Sequence, residues 1–76
     1  MNTEKVLKVR KTIAEVVGFD AEDIQDEDKF IADYLISYAE RKALLERLNG
    51  DFGKTLDFDS FCKLDRVGAV IQAFEA

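Results

Sequence analysis

The sequence contains no histidine and no proline, and it has a single cysteine, Cys62. One thiol cannot form an internal disulfide, and a lone cysteine without histidine argues against a zinc cluster. No imidazole is present to turn Cys62 into a reactive thiolate, so we expect it to behave as a small apolar side chain. The absence of proline, together with 47% hydrophobic residues, favours an ordered helical domain.

Long apolar runs are also absent. The N-terminal segment, MNTEKVLKVRK, has charges spaced through it and lacks the apolar run of about seven residues that a signal peptide needs. No later segment is long and apolar enough to span a bilayer. We therefore expect a cytoplasmic chain with no membrane contact. Its 76 residues are room for one domain, residues 1–76, which we expect to be a monomer.

Basic residues are outnumbered, and the formal net charge is −5. Non-specific nucleic-acid binding needs a basic footprint, so we expect no nucleic-acid partner. Between Asp20 and Asp33, seven acidic residues stand against the single base Lys29. This run is typical of a solvated loop, or alternatively of a surface that attracts a basic partner. It lacks the spacing of a calcium-binding loop, and we expect no metal site.

Hydrophobic periodicity predicts a first helix over residues 3–17, with Thr3 as its N-cap and Gly18 as its stop. From Phe19 to Ile36 no helical period is sustained, which indicates a long loop with a short helical turn around residues 21–24. The apolar residues of this loop are expected to anchor it on the domain; they are Phe19, Ile24, Phe30, Ile31 and Leu35.

Three more helices are predicted after the loop. The second runs from Tyr38 to Asn49 or a little beyond, because the Asn-Gly pair at 49–50 favours fraying or an early end. The third is short, about residues 58–64, with Asp57 as its cap, and the fourth begins after Asp65 as N-cap. The apolar faces predict a core of Val6, Val9, Ile13, Val16, Phe30, Leu44, Leu45, Leu48, Phe52, Leu64, Val67, Val70, Ile71 and Phe74.

The start of the second helix has a specific local signal. Ser37 is followed three residues later by Glu40, the spacing of a capping box, in which each side chain accepts a hydrogen bond from a backbone N–H. The prediction is therefore that Ser37 is the N-cap and that Tyr38 is the first helical residue.

The segment FIADYLISYAERKALLERLNGDFG, residues 30–53, resembles without a gap the second helix of acyl and peptidyl carrier proteins. In that family a phenylalanine precedes a D-S-L motif, and the helix after it ends in F-G, at the separation that joins Phe30 to Phe52 here. Leu35 and Ile36 match the paired leucines of stand-alone carriers with a G-L-L-D-S sequence, such as the D-alanyl carrier proteins. The segment LDRVGAVI, residues 64–71, resembles the family's closing I-T-T-V-G-D-A-V. The resemblance covers essentially the whole chain and implies an all-α four-helix bundle of acyl-carrier-protein type, with a long first loop and a short third helix.

The resemblance also implies a site, because these carriers bear 4'-phosphopantetheine on the serine of D-S-L. In this register Ser37 matches the aspartate, and Tyr38 occupies the attachment position. The transfer needs an aliphatic hydroxyl that attacks the pyrophosphate of coenzyme A, and a phenol places its oxygen several ångströms farther from the backbone. We expect no arm on Tyr38, whose ring would shield the helix start and cover part of the loop. The alternative is attachment to Ser37, if the helix begins one residue later; Ser60, in the third helix, is not a candidate.

The second helix differs from the family in charge, since carriers commonly present an acidic face there to basic patches on their enzymes. The candidate partner-binding residues alternate in sign; they are Glu40, Arg41, Lys42, Glu46 and Arg47. They form either a solvated, self-paired face, with pairs such as Lys42 and Glu46, or a surface for a changed set of partners.

Two functions are consistent with these observations. The one we favour is an acyl-carrier-protein-like domain without an attached cofactor, which binds protein partners as an adaptor among biosynthetic enzymes. The pathways that the resemblance implies make fatty acids, polyketides or nonribosomal peptides. The alternative is a functional acyl or aminoacyl carrier with 4'-phosphopantetheine on Ser37. We expect no enzyme activity and no catalytic residues, because the sequence has no Ser/His/Asp set, glycine-rich phosphate loop or metal cluster.

Overall fold

The computed structural model of the protein describes residues 3–75 and has four α-helices within them. They are α1 (Thr3–Val17), α2 (Tyr38–Phe52), α3 (Phe58–Cys62) and α4 (Val67–Glu75). A 3₁₀ turn covers Ala21–Asp23, and the described part of the chain has no β-strand beyond an isolated bridge between Lys29 and Arg66. The predicted all-α fold, with four helices, a long first loop and a short third helix, is confirmed. Over the same residues, no helix combines the length and apolarity needed to cross a membrane.

Helix α1 packs against both α2 and α4. Its predicted span, residues 3–17, is confirmed, although Thr3 is already helical and is not the N-cap. The predicted stop is also confirmed. Gly18 has a φ of 78°, a left-handed conformation that glycine adopts at little cost, and its N–H donates to the Ala14 carbonyl at 2.9 Å.

Helix α2 continues through the Asn-Gly pair at 49–50 and ends after Phe52, so the pair does not end the helix early. The side chain of Asn49 is engaged with the chain that follows the helix. Its amide nitrogen donates to the Leu56 carbonyl at 3.0 Å, and its side-chain oxygen accepts from the Leu56 N–H at 3.2 Å. The helix stops at Gly53, whose φ of 62° is again left-handed.

Helix α3 begins as predicted, because the Asp57 side chain caps it by accepting from the Ser60 N–H at 3.1 Å. It ends at Cys62, earlier than the predicted Leu64. The last turn tightens there, since the N–H groups of Lys63 and Leu64 donate to carbonyls three residues back, at 3.2 and 2.9 Å.

The prediction that Asp65 caps α4 is wrong. The Asp65 carboxylate instead accepts a hydrogen bond from Arg41 of α2 at 3.2 Å. The first N–H groups of α4 are satisfied by the long loop. Val67 donates to the Asp28 carbonyl at 3.0 Å, and Gly68 donates to the Asp26 carbonyl at 2.9 Å. The loop is thus tied by its backbone to the start of α4.

Most of the predicted core is confirmed. The buried apolar residues are Val9, Ile13, Ala14, Ile24, Phe30, Tyr34, Leu44, Leu45, Leu48, Phe61, Val67, Val70, Ile71 and Phe74. Four predicted members are only partly buried and pack against this core: Val6, Val16, Phe52 and Leu64. Four buried residues were not in the predicted set: Ala14, Ile24, Tyr34 and Phe61.

The loop anchors are only partly as predicted. Ile24 and Phe30 are buried, but Phe19, Ile31 and Leu35 are 45%, 56% and 79% exposed. Phe19 still contacts the buried Tyr34, at a ring-centroid distance of 5.1 Å. Ile31 and Leu35 are exposed because they belong to a helix-like turn, in which the Leu35 N–H donates to the Ile31 carbonyl at 3.1 Å. Residues four apart share one side of such a turn, so Phe30 faces the core together with Tyr34, while Ile31 and Leu35 face outward.

Candidate functional site

The start of α2 has the predicted capping box. The Glu40 N–H donates to the Ser37 hydroxyl oxygen at 3.1 Å, and the Ser37 N–H donates to a Glu40 carboxylate oxygen at 2.8 Å. Hydrogen bonding to the Glu40 carboxylate from the Ser37 backbone N–H, followed by that from the Ser37 side chain, lowers the pKa of Glu40, because it favours the charged form. Ser37 is confirmed as the N-cap, and its hydroxyl oxygen is engaged in holding the helix start.

Tyr38 is the first residue of α2, as predicted, and the residue is 69% exposed. Its ring meets the ring of Phe58, the first residue of α3, edge to face at a centroid distance of 5.0 Å. The Tyr38 ring, which we expected to cover the start of α2 and part of the loop, therefore lies toward α3. An edge-to-face pair is worth about 0.5–1.5 kcal/mol beyond area burial, so this contact holds the phenol beside α3.

A small cavity of about 240 Å³ lies beside this aromatic pair. The residues that line it come from the loop, α2 and α3; they are Ile31, Ile36, Ser37, Tyr38, Arg41, Phe58 and Cys62. The Cys62 thiol is free and half-buried there, consistent with the expected role of a small apolar side chain. Arg41 donates to Asp65, so its charge is already paired. The cavity is therefore mainly an apolar depression beside a capped helix start.

Exposed apolar side chains adjoin this cavity. Ile31 and Tyr38 line it, and Leu35, which lies between them in the chain, is 79% exposed. Leu35 also has a φ of 51°, the one positive φ at a non-glycine residue in the described chain. A left-handed conformation costs an L-residue roughly 1–2 kcal/mol. An apolar side chain is thus held in solvent on a strained backbone, and backbone strain of this kind clusters at functional sites.

The five candidate partner-binding residues of α2 differ in their surroundings. Glu40 belongs to the capping box, and Arg41 pairs with Asp65. Arg47 reaches Glu15 of α1 at 3.4 Å, with both side chains about half exposed, so this pair is worth about 0–1 kcal/mol. Lys42 and Glu46 are both exposed. They follow Tyr38 at intervals of four residues, which places all three on one side of α2.

The acidic loop is more structured than a solvated run of charge. The Tyr34 hydroxyl donates to the Asp28 carboxylate at 2.5 Å, and the same carboxylate accepts from the Gln25 N–H at 3.0 Å. Burial of Tyr34, followed by its hydrogen bond to Asp28, raises the pKa of this phenol. Asp33 accepts from the Lys29 N–H at 2.6 Å. Several of the carboxylates therefore hold the loop in shape.

Other chemistry is not assembled in residues 3–75. No group of three or more cysteine or acidic side chains in this range could hold a metal ion. Ser60 lies in α3, as expected, and its hydroxyl donates to the Asp57 carboxylate at 2.7 Å. It forms part of the α3 cap and lies outside the cavity beside Tyr38.

Sequence reasoning located Ser37 and Tyr38 but missed two features of the site. The contact between Tyr38 and Phe58 joins residues 20 positions apart, and no local pattern encodes it. The exposure of Leu35 was not predicted, because an apolar residue in this loop suggested a side chain that anchors the loop on the core. The four-residue spacing of Phe30 and Tyr34 was the available signal that Ile31 and Leu35 would face outward. In comparisons with known proteins, no family model and no curated protein matches this chain.

Proposed function

We propose that the chain is an acyl-carrier-protein-like domain that carries no phosphopantetheine and acts as a binding or adaptor protein. Its partners would be enzymes of fatty acid, polyketide or nonribosomal peptide biosynthesis, and it would work with them as a monomer in the cytoplasm. The sequence resemblance is the starting point. A four-helix domain with a long first loop and a short third helix is what that resemblance implies, and the structure has these elements.

The observation that carries the proposal is the state of the two hydroxyls at the start of α2. The Ser37 oxygen accepts the Glu40 N–H, and modification would disturb a cap worth about 0.5–2 kcal/mol. Tyr38 has the attachment position in the family register, but its ring rests against Phe58 and carries its oxygen away from the backbone. Neither residue suits a 4'-phosphopantetheine arm, and we assign no cofactor to the domain.

The partner-binding part of the proposal rests on the surface around Tyr38. Ile31, Leu35 and Tyr38 are each more than half exposed, and Ile31 and Tyr38 line a small apolar cavity. Lys42 and Glu46 extend the same side of α2 with one charge of each sign. Exposed apolar groups with a polar border are typical of protein interaction sites. Arg41, Arg47 and Glu40 would support this face through their internal bonds.

The test is the intact mass of the purified chain after incubation with coenzyme A and a phosphopantetheinyl transferase of broad specificity. We expect no change in the mass of the wild type. The comparison variant Tyr38→Ser supplies an aliphatic hydroxyl at the attachment position and should gain the arm at least in part. A wild-type mass gain that peptide mapping places on Ser37 would overturn the proposal and establish the alternative, a carrier with a displaced site.

A further inference from the structure

A second cleft, of about 630 Å³, lies between the first half of α1 and the 3₁₀ turn. Its apolar lining comes from Leu7, Ala21 and Ile24, and its charged lining from Arg10, Asp20 and Glu22. It shares no lining residue with the cavity beside Tyr38. Its volume is in the range of about 300–1,000 Å³ that is usual for binding clefts.

The two walls of this cleft are fixed to each other. Arg10 projects from α1, donates to the Ile24 carbonyl and pairs with the Asp26 carboxylate. Ile24 is 2% exposed, so the loop wall is also anchored in the core. A partner would find the cleft already formed and would not have to order the loop, which lowers the cost of binding.

The charge of the cleft favours one kind of partner. Arg10 is the base that lines it, and Asp26 already neutralises that base. Asp20 occupies the N-cap position of the 3₁₀ turn, yet its side chain makes no capping hydrogen bond. Glu22 is exposed. Two carboxylates therefore border an apolar floor on which Leu7 is 59% exposed.

We propose that this cleft is a docking site for a basic segment of a protein partner. An arginine of that segment would lay its aliphatic stem on Leu7 and Ala21 and present its guanidinium to Asp20 and Glu22. Long cationic side chains cover apolar surface in this way, and arginine has the planar fork that matches carboxylates. A purely apolar segment would strip water from the two carboxylates without replacing its hydrogen bonds. This proposal does not rest on the function assigned to the surface around Tyr38.

The test uses the isotope-labelled full chain and a designed amphipathic peptide of arginine and leucine, titrated while backbone amide signals are followed by NMR. We expect saturable binding with the largest shifts at Leu7, Ala21 and Glu22. The same peptide with glutamate in place of arginine should not bind. Shifts centred on α2 or α3 would overturn the proposal.

Two double variants with the same change in net charge separate a site from general attraction. Asp20→Asn with Glu22→Gln should weaken binding of the arginine peptide by about tenfold or more, the scale of one lost charged hydrogen bond. The matched control is Asp51→Asn with Asp59→Asn, at exposed positions outside the cleft, and should change the Kd by less than about twofold. Leu7→Ala should also weaken binding. Equal weakening by both double variants would mean that only the net charge is sensed and would refute the site.

Discussion

Replacing Leu35 with glycine tests the most unusual backbone feature of the molecule. The left-handed φ of 51° costs a residue with a Cβ roughly 1–2 kcal/mol, and glycine escapes that cost. Glycine also lowers the free energy of unfolding by about 0.5–1 kcal/mol relative to alanine, because a glycine residue has more conformational freedom to lose when the chain folds. Alanine and glycine both remove the side chain, so its contacts cancel in the comparison. The difference predicts that Leu35→Gly is more stable than Leu35→Ala by about 0–1.5 kcal/mol.

The measurement is the free energy of unfolding of both variants from urea denaturation, with thermal melts in parallel. For a domain of this size, 1 kcal/mol corresponds to a Tm shift of about 4–8 °C, so the difference is measurable. The control is Ala43→Gly on the exposed side of α2, where glycine should cost about 1 kcal/mol. If glycine at position 35 is also less stable than alanine by about 0.5–1 kcal/mol, the strain argument fails.

Three further outcomes are expected from the same measurements. Ser37→Ala should destabilise the protein by about 0.5–2 kcal/mol while Ser37→Asp is tolerated, and the reverse order would mean that Ser37 is not the cap. Leu48 is fully buried, so Leu48→Ala should lower the free energy of unfolding by about 2–5 kcal/mol. Phe52 is only half-buried, so Phe52→Ala should cost less than the loss of a fully buried phenylalanine. No change in stability for Leu48→Ala would contradict the assigned core face of α2. The pKa of Tyr34 is raised in the folded state, so folding favours the protonated phenol. The resulting stabilisation is fully present below the ordinary tyrosine pKa of 10.0 and is lost as the pH rises above that value. Tyr34→Phe should remove this part of the alkaline destabilisation, whereas Tyr38→Phe should leave it in place.

The elements that local chemistry determines were predictable from the sequence. The capping box between Ser37 and Glu40, the Asp57 cap and the stop at Gly18 each depend on a few neighbouring residues, and each is present. The helical periodicity of Leu44 and Leu48 also located the core face of α2. These features need no information about the rest of the chain.

The features that depend on partners outside the local pattern were not predictable. Asp65 had the residue type and position of an N-cap, but its carboxylate pairs with Arg41. The first N–H groups of α4 donate instead to carbonyls of the long loop. The Asn-Gly pair at 49–50 suggested an early helix end, yet Asn49 is held by Leu56. In each case a contact outside the local pattern, 24 residues away for Asp65 and 7 residues away for Asn49, outweighs a local preference of about 1 kcal/mol.

At the candidate site, too, some features were predictable from the sequence and others were not. The identity of Ser37 and Tyr38 at the start of α2 followed from a local pattern and a resemblance. The apolar surface did not, because Phe58 comes from another helix and Leu35 is exposed by the geometry of the loop turn. A sequence pattern alone cannot distinguish an apolar loop residue that packs inward from one that is held in solvent.

Our central proposal is that Tyr38 stands in place of the attachment hydroxyl in a carrier-like domain. Its most direct test is the intact mass of the double variant Ser37→Asp with Tyr38→Ser, incubated beside the wild type with coenzyme A and the transferase. The variant supplies an aspartate cap followed by a free aliphatic hydroxyl. We predict that the variant gains the phosphopantetheine arm on the new serine and that the wild type does not. A wild type that is loaded, or a folded double variant that stays unmodified, would contradict the claim.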